Sequence, residues 1–252
     1  MKNRLYTVAI FAVTLLVLCL VCYGCSRNDN TSPTNELPMY GGLPRTSQEK
    51  SADEAFIAEM DKLGSRETAI KKMLQFGQEF YNKGDFKAAI RRFNQAWLLD
   101  SNNKEVFFNF AIVMDAEGKF DEAIKFYKKA LELMPEDANT MCNLATVLAK
   151  KAKNEMSKAT DPSQREKAKQ DFNDALAMYA NAAQAATNDF DKGMNYYQWA
   201  IALFVDGNYS EAWAKVKLCR KYGSDFIRPE FIKELSEAMP EPEEAVLSEN
   251  PS

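Results

Sequence analysis

Histidine is absent from all 252 residues. Its absence removes the side chain most used as a general acid or base near neutral pH, and the commonest metal ligand. Other chemical signatures are missing as well: no GxxxxGK[ST] phosphate loop, no GxSxG nucleophile turn, and no CxxC outside the N-terminal apolar run. Acidic pairs occur at Asp121-Glu122 and Glu243-Glu244, but the first opens a surface helix and the second lies in the C-terminal tail. The expectation is a protein that is not an enzyme, with no catalytic residue, metal or cofactor. Asp, Glu, Lys, Tyr and Cys remain as groups on which catalysis could still be built.

A basic surplus is lacking too. The chain carries 32 basic and 36 acidic side chains, and losing Lys2 and Arg4 with an export segment leaves 30 against 36, a net charge of −6. Nucleic acid is a poor partner for such a surface. What is present is ordinary for a globular protein: 46% apolar and 27% charged residues.

Residues 1–24 stand apart. Lys2 and Arg4 lead into LYTVAIFAVTLLVLCLVCYG, uncharged from Leu5 to Gly24, which reads as an export segment. Gly24 precedes Cys25 and the chain then turns polar, a pattern that resembles the processing site of bacterial lipoproteins, where the cysteine is lipidated and becomes the new N-terminus. Cys22 and Tyr23 depart from that pattern, which favours Leu and a small residue there. The competing reading is an uncleaved anchor, because the run approaches the ~20 residues that span a bilayer. Either way the remainder faces the periplasm or exterior on a membrane tether, held by lipid on Cys25 or by the apolar run. Residues 25–47, rich in Ser, Thr, Asn, Pro and Gly, read as a flexible tether. Of the cysteines beyond Cys25, Cys142 and Cys219 fall in helical patterns and read as small buried residues.

A helical domain is expected over residues 48–239. Ser51 and Glu54 have capping-box spacing ahead of Phe56, Met60 and Leu63. Then a period emerges: Gly77, Gly84, Phe86, Ala89, Phe93 and Ala96 are matched 34 residues later by Ala111, Gly118, Phe120, Ala123, Tyr127 and Ala130. Small residues and rings at these intervals share one helical face, where the small ones admit a neighbouring helix and the rings fill the space between. One hairpin cannot bury such a face, so hairpins must stack.

These residues resemble the tetratricopeptide repeat, a 34-residue helix-turn-helix unit. Pro135 sits at that family's closing proline. The resemblance implies an all-α superhelical solenoid of about four helix pairs with flanking helices. Its repeats run over about 70–103, 104–137, 138–189 and 193–226, with a capping helix at 229–239 and an acidic disordered tail at 240–252. The third copy is interrupted: Phe172, Ala175, Tyr179 and Ala182 restore the spacing 18 residues late, after an insertion at 150–169.

In that family the first helix of each pair lines a groove that binds a peptide or a partner's helix. Carried onto this sequence, the groove candidates are Leu74, Gln78 and Tyr81, then Phe108, Ile112 and Asp115. Asn139 and Thr146 follow in the third copy, and Met194, Tyr197, Ile201 and Phe204 in the fourth. The alternative for each aromatic is packing against a neighbouring helix. Leu74, Asn139 and Asn143 stand where some members carry a basic clamp for a partner's C-terminal carboxylate, so no such clamp is expected.

The insertion holds Lys150, Lys151, Lys153, Lys158, Arg165, Lys167 and Lys169 against Glu155, Asp161 and Glu166, a net charge of +4. With Ser163 and Glu166 at capping-box spacing, it reads as an extended hairpin with a basic tip. That tip either meets anionic headgroups or an acidic partner, or is simply solvated. The resemblance implies a protein-binding scaffold of the bacterial envelope, of the kind that assembles pilus, secretion or outer-membrane machinery. A second class, cell-wall glycan binding, would use Tyr197 or Trp199 as stacking platforms; its partner would be glycan rather than protein.

Overall fold

The computed structural model describes residues 34–223 and 225–242; these belong almost wholly to one compact unit that starts at Asn35. All regular structure among them is helical. The helices are α1 (Ser47–Leu63), α2 (Arg66–Asn82), α3 (Phe86–Leu99), α4 (Lys104–Ala116) and α5 (Phe120–Leu133). They continue as α6 (Ala138–Lys158), α7 (Pro162–Ala185), α8 (Asp189–Asp206), α9 (Tyr209–Tyr222) and α10 (Pro229–Ala238). The pairs α2/α3, α4/α5, α6/α7 and α8/α9 form hairpins, and each hairpin packs on the next in chain order. This is the expected all-α, tetratricopeptide-like arrangement. Helix α1 lies on α2 and α3, and α10 on α9.

Three of the four hairpin turns are built alike. Gly84, Gly118 and Gly207 sit at φ of 76°, 73° and 83°, where a side chain would clash with its own backbone. Each follows its helix with paired hydrogen bonds that close the last turn: Gly84 N to Tyr81 O with Asp85 N to Phe80 O, Gly118 N to Asp115 O with Lys119 N to Met114 O, and Gly207 N to Phe204 O with Asn208 N to Leu203 O. The third hairpin has no such glycine. Its helices therefore run on to 21 and 24 residues, and Pro162 starts α7. Asp161 caps α7 by accepting from Gln164 N at 2.9 Å, so the working cap lies two residues before the expected Ser163.

Ring-into-hollow packing joins the two helices of the first hairpin, and Phe93 meets Phe110 of the next hairpin edge-on at 6.2 Å. A Cβ on Gly77 would lie 2.1 Å from Cε1 of Phe93, so only glycine admits that ring. Phe93 is 1% exposed, and Ala89, Ala96, Ala123 and Ala130 are wholly buried. One apolar core runs through α2 to α5 and reaches Leu144 and Val147 of α6. The third hairpin has a different core, in which six of nine buried members are alanine, with Phe172 and Tyr179 as its rings. A last core joins α8 and α9 to Phe231 and Leu235 of α10.

Two expectations about the N-terminal side need correction. Helix α1 begins at Ser47 rather than Ser51, because Thr46 and Glu49 form the reciprocal capping box one turn upstream. Within the expected tether of 25–47, residues 35–43 are docked structure: the 3₁₀ turn Pro38–Gly42 packs on α3, and Glu36 before it pairs with Arg91 of that helix. Asn94, fully buried on α3, brackets this strap; its Oδ1 accepts from Met39 N at 2.8 Å and its Nδ2 donates to Asn35 O and Leu37 O. Met39 and Tyr40 have φ of 50° and 55°, an unfavourable conformation for residues with a side chain. Burial offsets that cost: Tyr40 is 6% exposed, meets Trp97 edge-on, and carries the Arg45 guanidinium 3.8 Å above its ring. Arg45 is itself held by Asp53 at 2.9 Å.

Candidate functional site

The face shared by the first helices α2, α4, α6 and α8 is where the groove residues were expected. On α2 and α4, Leu74, Phe108 and Ile112 are each partly exposed while resting on the core beneath. Phe108 meets Tyr127 edge-on at 5.7 Å, and Tyr81 leans on Phe86 at 5.6 Å. Gln78 donates to Asn82 Oδ1 at 3.1 Å, which ties its amide to its own helix. Asp115 accepts from Lys150 at 2.7 Å, joining α4 to α6. Its other carboxylate oxygen is buried without a hydrogen-bond partner. Burial, and then the charge of Asp115, pushes the Tyr81 and Tyr127 hydroxyls above their usual pKa, so both stay protonated.

On α6, Asn139 is exposed and accepts from Asn143 Nδ2 at 3.0 Å. Thr146 donates to Cys142 O at 3.0 Å and is hydrogen-bonded to the Tyr179 hydroxyl at 2.8 Å. Cys142 is 4% exposed and burial pushes its thiol up to about 12, as befits an inert packing residue.

The α8 residues divide. Met194, Ile201 and Phe204 remain partly exposed, whereas Tyr197 is buried under the C-terminal helix. Tyr197 is 4% exposed, meets Phe231 edge-on at 5.5 Å, and accepts from Arg228 N and Nε. Phe204 packs on Phe231 and Tyr209, both at 5.6 Å. The Tyr197 groove assignment is therefore corrected, because Phe231 needs rings to bury itself and α8 supplies them; Phe204 keeps one side partly exposed. Burial takes Tyr197 out of the glycan reading, and neighbouring groups occupy the ring faces of Trp199. Trp199 is stacked with Tyr179 and Tyr196, with Lys215 Nζ 4.0 Å from its ring centre.

The hairpin of the insertion is present, but its tip is not strongly basic. Lys150 pairs with Asp115, Lys151 with Asp121, and Lys153 with Asp206, so three cations link α6 to α4, α5 and α8. Around the turn, Lys158, Arg165, Lys167 and Lys169 face outward beside Glu155, Asp161 and Glu166. Four cations against three carboxylates leave little net field. No signal in the insertion itself reveals this, because the neutralising carboxylates lie 30 to 53 residues away. Asn94 was missed for a related reason: a lone polar residue in an apolar stripe says nothing about the strap it brackets.

Cys25 and the apolar run lie outside the described residues. Among the described residues, no helix is long and apolar enough to cross a membrane, and no group of three or more His, Cys, Asp or Glu could hold a metal ion.

The spacing of small residues and rings, the repeated glycine turns and the stacked hairpins have a counterpart among known proteins. Residues 81–139 match the Tetratricopeptide repeat family. The matched stretch runs from the last residues of α2 through α3, α4 and α5 to the start of α6. The chain is also 31% identical over 75 residues to Photosystem I assembly protein Ycf3 of Prochlorococcus marinus subsp. pastoris. That similarity covers 29% of this chain and 43% of the relative, so the chain spans less than half the length of the protein it matches. Match and architecture together support a tetratricopeptide-repeat protein, and such repeats imply a protein–protein interaction scaffold.

Proposed function

We propose that this scaffold is noncatalytic, is tethered to a membrane of the bacterial cell envelope through Cys25 or the apolar run before it, and takes a peptide or helix of a protein partner on its first-helix face. The observation that carries the reading is the set Leu74, Phe108 and Ile112, apolar side chains from two successive first helices left partly exposed on one face. Apolar residues rimmed by polar ones mark surfaces that bind other polypeptides. A role in assembling envelope machinery draws on the resemblance and on the relative's name, which describes an assembly protein.

The test has two arms. Ile112→Arg places a charge on the face without filling the core, and loss of partner proteins recovered by crosslinking in cells is the expected result. Retention of the same partners would remove the face from the mechanism. Cys25→Ala separates the two tethers: release of the protein from membranes means lipid on Cys25, and continued retention means an uncleaved span.

A further inference from the structure

Where the third hairpin outruns its neighbours, α6, α7 and α8 leave a crevice of about 120 Å³. Phe172 and Tyr179 of α7 form its floor, and Ala149 and Ala202 are too small to close the gap between α6 and α8. Ile201 and Val205 of α8 form one lip, with Val205 59% exposed. Lys150 and Lys153 stand on the opposite rim.

We infer that this crevice is the anchor subsite of the proposed first-helix face: it accepts one uncharged Leu-, Met- or Phe-sized side chain of a partner polypeptide. The inference rests on that proposed function and specifies the partner's chemistry. Three observations fix the occupant. Its size, near that of an apolar cavity of roughly 150 Å³ that holds a benzene, and its open mouth suit one side chain rather than a whole lipid acyl chain. Its charged groups and its buried hydroxyl are already paired, Lys150 with Asp115, Lys153 with Asp206, and the Tyr179 hydroxyl with Thr146, while Gln198 adds a neutral amide to the lining. A charged occupant would lose its water and meet no free counter-charge.

The third observation is continuity along α8. Tyr197 is covered by α10, Phe204 leans on Phe231, and Ala200 and Leu203 face the core. Met194, Gln198, Ile201 and Val205 remain as a stripe at helical spacing on the remaining side. Eleven residues of helix span roughly 17 Å, the length of a short peptide rather than of a small apolar molecule.

The experiment selects binders from a library of random twelve-residue peptides displayed on phage, using the full chain as bait, and measures Kd for synthetic copies of the enriched peptides. Enriched peptides are expected to share one Leu, Met or Phe, and replacing it by Lys or Asp should weaken binding at least tenfold. Val205→Asp charges an exposed lip position without touching the core and should cost about the same factor; Ala202→Leu, which fills the crevice, should do likewise. Peptides that tolerate both variants but are lost on Ile112→Arg would overturn the crevice and leave the face standing. Peptides indifferent to all three variants, or no enrichment, would overturn both.

Discussion

The first two repeats and the third solve the same packing problem with different material. In the first two, glycine turns end the first helix on schedule, and rings such as Phe93 seat in hollows left by Gly77 and its alanine neighbours. In the third, no glycine stops α6, the core is mostly alanine, and lysines reach across to carboxylates on three other helices. The regular units gain their stability from apolar burial. The long hairpin is bound partly by ion pairs, and a crevice opens where its alanines fail to fill space. The repeat period therefore builds a rigid support, and the interruption gives it a distinctive surface.

Truncating a ring on each side of that comparison gives the largest expected effects. Phe93→Ala should cost ~3–5 kcal/mol, since the ring is enclosed on all sides. Phe172→Ala should cost less, because the ring already faces an open crevice on one side. Urea denaturation of the two variants measures the difference, and equal losses would mean that the crevice is closed in solution.

Asn94→Ala comes next. It leaves Met39 N and two strap carbonyls without their partner at a buried site, a loss of ~1–3 kcal/mol. Hydrogen exchange should quicken in residues 34–43 and leave α4 and α5 unchanged. Gly77→Ala is expected to lose ~1–3 kcal/mol from overpacking, against a gain of ~1 kcal/mol in helix propensity. Adding Phe93→Leu to Gly77→Ala should recover part of the loss, whereas simple additivity in thermal melts would mean that the two residues do not touch.

The smallest effect belongs to the lysines. Their pairs are partly exposed, so changing Lys150, Lys151 and Lys153 together to Gln should cost no more than ~1 kcal/mol per pair. The difference from the parent chain should shrink in concentrated salt.

The period was legible in the sequence because it is written in side-chain size: glycine, ring and alanine at fixed intervals admit few packings other than stacked hairpins. The strap was illegible because Met39 and Tyr40 adopt left-handed backbone only against Asn94, 55 residues away from Met39. A Ser, Pro and Gly-rich stretch carries the same local signals whether it docks or not. The face was partly legible. Helical spacing named Leu74, Phe108 and Ile112, which stay partly exposed over the core, but the same spacing could not reveal that Phe231 would bury Tyr197. The basic insertion misled for an electrostatic reason, since counting charge along the chain ignores carboxylates brought alongside by folding.

Photo-crosslinking in living cells tests the working face most directly, with a photoreactive residue placed in turn at Ile112 and Val205 on the first helices and at exposed Lys128 on α5. Protein adducts of the same partner from Ile112 and Val205, with none from Lys128, are the expected result. Adducts from Lys128 alone would contradict it and move the binding surface to the second helices.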